Sequence, residues 1–392
     1  MTEIEIIQVC LELANCTEEP GRITRTFLSP PMHDVHRILG DRMRALGMQV
    51  SVDAAGNLRG LHGNPDSPRL LIGSHLDTVP DAGAFDGILG VIMGIALVAT
   101  KPAVAIEVIG FSDEEGVRFG VPFIGSRALA GTLDDDTLTL CDQAIRDYGL
   151  DPADLPNARL APNAIGYLEF HIEQGPILDK AAMPLGVVDT IVGQSRLSLT
   201  FEGQANHAGT TPMNLRRDAL VAAAEWIVAA ETIAASNDGL VATTGKLSVS
   251  PNVANVIAGT VRASLDVRHA SDSVRHDAVR TLLEAAAAAA DRRGIGLKRE
   301  TLLDQPAVPL DTALIESLER AVKEAGCPVN RMSSGAGHDA MILARHLPSA
   351  MLFLRSPGGI SHHPAESISP ADLAAAMDAG RRFIAEMESA HA

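Results

Sequence analysis

Short unbroken apolar runs alternate along this chain with segments whose apolar residues recur every three to four positions, a pattern that predicts buried strands separated by helices. Ile4, Ile7, Val9, Leu11 and Leu13 predict a helix over 3–15, and a second fits 33–46. Met48 to Val52 reads as a strand with Asn57 to His62 as its hairpin partner, before the Asn-Pro-Asp-Ser-Pro turn at 64–68. Leu70 to Gly73 is a wholly apolar run, suited to a strand covered on both faces. Gly87 to Thr100 reads as a buried helix of small and apolar residues, and Val104 to Phe111 as another buried strand. Strand, helix, strand in this order is a parallel crossover, whose ligands gather at the carboxyl ends of the strands. Asp135 to Tyr148 predicts an exposed helix, and Gly166 to His171 a further strand.

The pattern changes at about Gly193. Arg196 to Glu202 alternates like a half-exposed strand, Asp218 to Ala235 is helical, and Gly239 to Ser250 and Gly259 to His269 read as strands. An alanine-rich helix at 273–293 and a strand at 297–303 complete the ferredoxin-like order of strand, helix, strand, strand, helix, strand. The chain is therefore expected to be α/β, with a first domain over 1–192 and 306–392 and an inserted α+β domain over 193–305. A helix at 312–325, a strand at 350–355 and a helix at 370–387 return to the first domain.

At 392 residues, two domains are the natural expectation. The formal charge of −17 argues against general affinity for nucleic acid or anionic membranes. No apolar run reaches the length of a membrane span, and the start, Met-Thr-Glu-Ile-Glu, lacks a signal-peptide profile, so a cytoplasmic protein is expected. Cys10, Cys16, Cys141 and Cys327 form no Cys-x-x-Cys pair, which fits reduced thiols.

Polar clusters follow the apolar runs. His75 and Asp77 close the first buried strand two residues apart, so that Asp77 can orient the ring while its other nitrogen ligates a metal. Asp86 stands where a loop enters the buried helix. Glu114-Glu115 follows the next strand, His171 ends another, and His362 lies in the loop after the last. Singly, an acidic pair or a loop histidine is ordinarily solvated surface. Jointly, His75, Asp86, Glu115, His171 and His362 could hold two divalent ions, zinc above all, with manganese, cobalt or nickel also suited to mixed nitrogen and oxygen donors. Glu114 is then left free as a general base. In or beside the insert, Asn255 and Arg268 are candidates to hold a substrate carboxylate, and His207 to donate a hydrogen bond to an oxyanion.

The chain resembles the amidase/hydantoinase/carbamoylase branch of the dinuclear-metal carboxypeptidase and aminoacylase clan from Leu70 through Glu366. The matching segments are Gly-Ser-His75-Leu-Asp77-Thr, Phe-Asp86-Gly, Glu114-Glu115-Gly-Val-Arg-Phe, His171-Ile-Glu-Gln174-Gly-Pro, Asn206-His207-Ala-Gly-Thr-Thr-Pro-Met, Asn255-Val-Ile, Asp266-Val-Arg268, Gly335-Ala-Gly-His338-Asp-Ala and Gly359-Ile-Ser-His362-His-Pro-Ala-Glu366. The resemblance implies a mixed-sheet, metallopeptidase-like catalytic domain with a ferredoxin-like lid that also pairs two subunits into a homodimer. It implies that His75, Asp86, Glu115, His171 and His362 are the ligands, with Asp86 bridging two metals, and that Glu114 is the base. Gln174, His207, Asn255, Arg268 and Gly359 would contact substrate. Ala84 and Ala258 depart from the family pattern, where a basic residue and a proline are common, and leave substrate preference open.

The expected function is hydrolysis of the ureido C–N bond of an N-carbamoyl-L-amino acid to the L-amino acid, carbon dioxide and ammonia. Allantoate amidohydrolase is the alternative, and ureidoglycolate and beta-ureidopropionate hydrolysis draw on the same machinery. A dipeptidase, or a catalytically dead binding protein on this fold, stands further off.

Overall fold

The computed structural model describes residues 1–391, among which fourteen strands are distributed over two sheets. The chain forms β1 (Gln49–Val52), β2 (Leu58–His62), β3 (Arg69–His75), β4 (Ala105–Phe111), β5 (Ala164–Ile172) and β6 (Leu185–Ile191). It continues through β7 (Gly193–Glu202), β8 (Val241–Thr243), β9 (Leu247–Ser250), β10 (Thr260–His269) and β11 (Gly296–Gln305), then β12 (Val308–Pro309), β13 (Arg331–Ser334) and β14 (Ser349–Leu354). Two compact units result. One comprises Met1–Asp189 and Pro309–Ala392, the other Thr190–Val308.

The first unit is built on a mixed sheet ordered β1-β2-β4-β3-β5-β14-β6-β12, with β13 beside β6. Its centre, β4-β3-β5-β14, is parallel, and antiparallel strands flank it on both sides. Every residue of β3 and β4 is buried, including Glu107, whose carboxylate pairs with Arg59 and Arg69. The crossover between them is the Ile88–Val98 helix, all of whose residues are buried. Gly87, which precedes it, has φ +66° and would bring a Cβ within 2.4 Å of the His75 ring, so only glycine lets the helix start against that histidine.

The second unit is a five-stranded sheet ordered β11-β7-β10-β8, with β9 also on β10. The helices Ala219–Ala235 and Asp272–Asp291 cover one face, where Leu199, Phe201, Val261 and Val267 pack with Trp226 and Leu282. The opposite face carries Arg196, Arg262, Asp266 and Arg268, in the alternation expected of a sheet covered on one side.

Three sequence expectations need correction. The segment 239–250 is two short strands, because Thr243 faces Asp266 while Leu247 faces Ala263, leaving three residues opposite two. The extra residue breaks the ladder as a bulge does, and Lys246 is held there by the Ser264 hydroxyl at 2.9 Å. The first unit also contains β6, a strand additional to those expected, built on the run Leu185-Gly-Val-Val. Short helices at Ile124–Ala130 and Asp339–Leu343 were likewise missed, being too short to show a period.

Candidate metal centre

All four parallel strands deliver polar residues from their carboxyl ends to one place, as open α/β sheets do. β3 ends in His75, β4 leads into Glu114 and Glu115, β5 carries His171 and leads to Gln174, and β14 leads to Gly359 and His362. Asp86 enters from the turn before the buried helix. Donor atoms of His75, Asp86 and His171 lie within 4.8 Å of one another, as do those of Asp86, Glu115 and His362, and those of His75, Glu114 and Glu115. Asp86 belongs to the first two groups. Its Oδ1 is 3.5 Å from His171 Nε2, and its Oδ2 is 3.2 Å from His362 Nε2, which in turn is 3.4 Å from Glu115 Oε1.

The two buried histidines test whether a cation fits. His75 Nδ1 lies 3.0 Å from the Asp77 carbonyl and His171 Nδ1 2.9 Å from the Ile172 carbonyl. A carbonyl only accepts, so both Nδ1 atoms carry a proton, and in the neutral rings that ligate a metal both Nε2 atoms present lone pairs. The two Nε2 atoms stand 3.3 Å apart, so with both rings neutral a cation between them would take a lone pair from each. The donor spacings of 3.2 to 3.5 Å match the edge of a tetrahedron around a divalent ion with bonds near 2.0–2.1 Å, about 3.3–3.4 Å. Imidazole and carboxylate donors of this kind suit zinc and its first-row neighbours.

The electrostatics agree. Burial pushes Glu114 well above the ordinary carboxylate range and lifts Glu115 to about 7. Burial opposes a charge on His75 too, yet its contact with Asp77 and the charges of Asp77, Glu114 and Asp86 raise its basicity well above that of a free imidazole. Burial thus favours the neutral acids at Glu114 and Glu115, and a divalent ion beside them would favour their carboxylates instead. Asp77 is the organiser: its Oδ1 accepts the Glu114 N–H at 2.9 Å and its Oδ2 the Glu115 N–H at 3.1 Å, while the same residue anchors His75. Gln174 donates through Nε2 to both Asp86 oxygens, at 3.1 and 3.2 Å. Ser356 connects the Gln174 and Gly359 loops, its hydroxyl accepting the Gln174 N–H at 3.1 Å and its carbonyl the Gly359 N–H at 2.8 Å.

Beneath these donors lies a second layer of buried polar groups. Glu169, two residues before His171 on the same face of β5, accepts from Ser74, Tyr167 and the Ala340 N–H. His338 packs its ring on His171 with centroids 4.4 Å apart. The period-two pattern Tyr167, Glu169, His171 was the available signal.

The remaining candidates lie in the second unit. His207 and Asn255 are neighbours there: the Ala208 N–H donates to the Asn255 carbonyl at 3.0 Å, and His207 bridges to Val256. His207 Nδ1 accepts the N–H groups of Gly209 (3.0 Å) and Thr210 (3.2 Å), so Nε2 bears the proton of this exposed ring and is a donor. Arg268 stands elsewhere. It lies at the far end of β10, eight residues beyond Thr260 and thus roughly 25 Å along the strand. Its Nε donates to Asp266 Oδ1 at 2.9 Å, while Arg196 donates to Oδ2 at 2.9 Å.

Fold and donor set together define a class: an α/β protein whose strand ends assemble a donor set for divalent cations. The chain belongs to peptidase family M20/M25/M40, whose family model matches residues 71–386. It is 39% identical over 384 residues to the N-carbamoyl-L-amino acid amidohydrolase of Geobacillus stearothermophilus, spanning 94% of each chain. It is 36% identical over 419 residues to allantoate deiminase 1 of Glycine max, spanning 95% of this chain and 87% of that one. Among solved structures, a hydantoinase/carbamoylase family amidase from Burkholderia ambifaria superposes with a TM-score of 0.90 at 31% identity, over 98% of this chain and 97% of the other.

Proposed function

We propose that this chain is a metal-dependent amidohydrolase that cleaves the ureido C–N bond of N-carbamoyl-L-amino acids, giving the L-amino acid, carbon dioxide and ammonia. The observation that carries the reading is the shared position of Asp86 between two imidazole-carboxylate groups, with the neighbouring Glu114 left over as a buried base. His75, Asp86 and His171 would hold one ion, and Asp86, Glu115 and His362 a second. Ions held by these residues would supply a Lewis acid for the carbonyl and a water activated at neutral pH. Glu114 takes the proton from the attacking water and returns it to the departing nitrogen. The Nε2–H of His207 donates to the oxygen that becomes negative as the carbonyl carbon turns tetrahedral. Arg268, its guanidinium fixed through Asp266, clamps the substrate carboxylate, with Asn255, Gln174 and Gly359 as further contacts. A complete donor set with its base argues against a catalytically dead binding protein.

The relationship to an allantoate deiminase at nearly equal identity favours a second reading, since allantoate is also a carboxylate carrying ureido groups. Ammonia release separates the two. The protein, incubated with zinc or manganese, is expected to release ammonia from N-carbamoyl-L-amino acids and to leave dipeptides intact. Preference for allantoate would shift the assignment to the second reading, and cleavage of dipeptides alone would remove both.

His207 and Asn255 lie at the opposite end of β10 from Arg268, so one insert cannot close all three on a small substrate. This supports a homodimer paired through the inserts, in which His207 serves the neighbouring subunit's site. Among the described residues no helix is long and apolar enough to cross a membrane, and all four cysteines are free, which supports a cytoplasmic location. Arg268→Ala is expected to raise KM at least roughly 30-fold for carboxylate substrates with unchanged metal content. His207→Ala should lower kcat instead, because its partner charge exists only in the transition state. Mixing inactive Glu114→Gln with inactive His207→Ala subunits should restore up to about a quarter of parental activity, since only one site of each mixed dimer is whole. No recovery from verified mixed dimers would confine the site to one subunit.

A further inference from the structure

The two halves of the metal centre are unequally built. His75 and His171 are each 1% exposed, sit on the ends of strands and are locked through Nδ1 to backbone carbonyls. His362 belongs to a loop, and its side chain is 47% exposed. What fixes that loop is Glu366. Its Oε1 accepts the backbone N–H groups of Phe85 at 2.9 Å and Asp86 at 3.0 Å, and its Oε2 accepts the Ser361 hydroxyl at 3.3 Å. The loop is closed on itself by the Glu366 N–H to the His363 carbonyl at 3.0 Å and the Ala365 N–H to His363 Nδ1 at 3.0 Å, which ties Glu366 to the residue next to His362. The side chain is 6% exposed. The turn it enters is shaped to receive it, for a Cβ on Gly83 would stand 2.4 Å from Glu366 Oε1. A buried carboxylate is costly unless hydrogen-bonded, and here the bonds join the loop bearing His362 to the turn bearing Asp86.

We propose that Glu366 is a positioning residue that sets the affinity of the outer ion, the one held by Asp86, Glu115 and His362, and leaves the inner ion at His75, Asp86 and His171 largely unaffected. Asp86 has a second tether that survives loss of Glu366. Its carbonyl accepts the Ile88 N–H at 2.7 Å, and the Phe85 carbonyl accepts the Leu89 N–H at 3.2 Å, so the turn stays joined to the buried helix. His362 has no equivalent strand-end support. The inference rests on the two-ion reading of the centre.

Calorimetric titration of metal-free protein with zinc tests it, with thermal unfolding of each metal-free variant as the check on folding. The parent should bind two ions. Glu366→Ala should keep one at parental affinity and weaken the other about 10- to 100-fold, the scale of losing a group that orients a ligand. Glu366→Gln, whose amide oxygen can accept the same two N–H groups, should hold both ions within about threefold of the parent. Should the alanine variant not fold, Glu366→Asp, one methylene too short to span the loops, is expected to show the same selective loss. Parental affinity for both ions in the alanine or aspartate variant would overturn the role of Glu366 while leaving the two-ion reading intact, as would equal weakening of both sites. A parent protein that binds no zinc would overturn both.

Discussion

Glu114→Gln is expected to lower turnover of a ureido acid by roughly 100-fold or more while bound metal stays at the parental level. The residue is 9% exposed, and its backbone N–H is fixed to Asp77, which holds the main chain beside the donor set. Burial makes it a far more avid proton acceptor than a surface glutamate. Glutamine preserves the shape but cannot take a proton. Turnover and metal content, measured on the same preparation, separate the two adjacent glutamates. If metal content fell in step with activity, Glu114 would be a ligand and the base would have to be sought elsewhere.

Asp86→Ala should have the larger effect, with activity lost below detection and metal content falling to one ion or fewer per chain. Its two oxygens face different imidazoles, His171 at 3.5 Å and His362 at 3.2 Å, and it is the residue common to the group with His75 and His171 and the group with Glu115 and His362. Removing it takes a donor from each and leaves the remaining imidazoles without the carboxylate that holds them together. His75→Ala, by contrast, strips a donor from one side. Metal analysis of the purified variants decides: two ions retained in Asp86→Ala would show that the carboxylate is not shared.

The parts of this centre that were legible in the sequence are those tied to a strong local pattern. His75, Glu114, Glu115 and His171 each follow a run apolar enough to be read as a buried strand, and strand ends in a parallel sheet converge. Asp77 was legible as well, because residues two apart on a strand share a face. Glu169 and Tyr167 obeyed the same rule but sat within the run, where a buried glutamate has no local signature. Glu366 could not be assigned a role, since its partners at Phe85 and Asp86 are some 280 positions away and no periodicity links them. The sequence placed His207, Asn255 and Arg268 in one insert. Arg268 stands at the other end of the sheet from the first two, a separation already implied by reading 259–269 as one strand that begins after Asn255. The break between β8 and β9 went unread because a single extra residue leaves composition unchanged.

Stepwise return of metal to stripped protein bears most directly on the central claim that paired ions at the Asp86 centre hydrolyse a ureido bond. Protein dialysed against chelator until metal analysis finds none would be titrated with zinc or manganese while ammonia release from an N-carbamoyl-L-amino acid and from allantoate is followed. Activity should be absent at the start, return as ions bind, and saturate at about two equivalents per chain. Undiminished ammonia release from protein verified to be metal-free would contradict it.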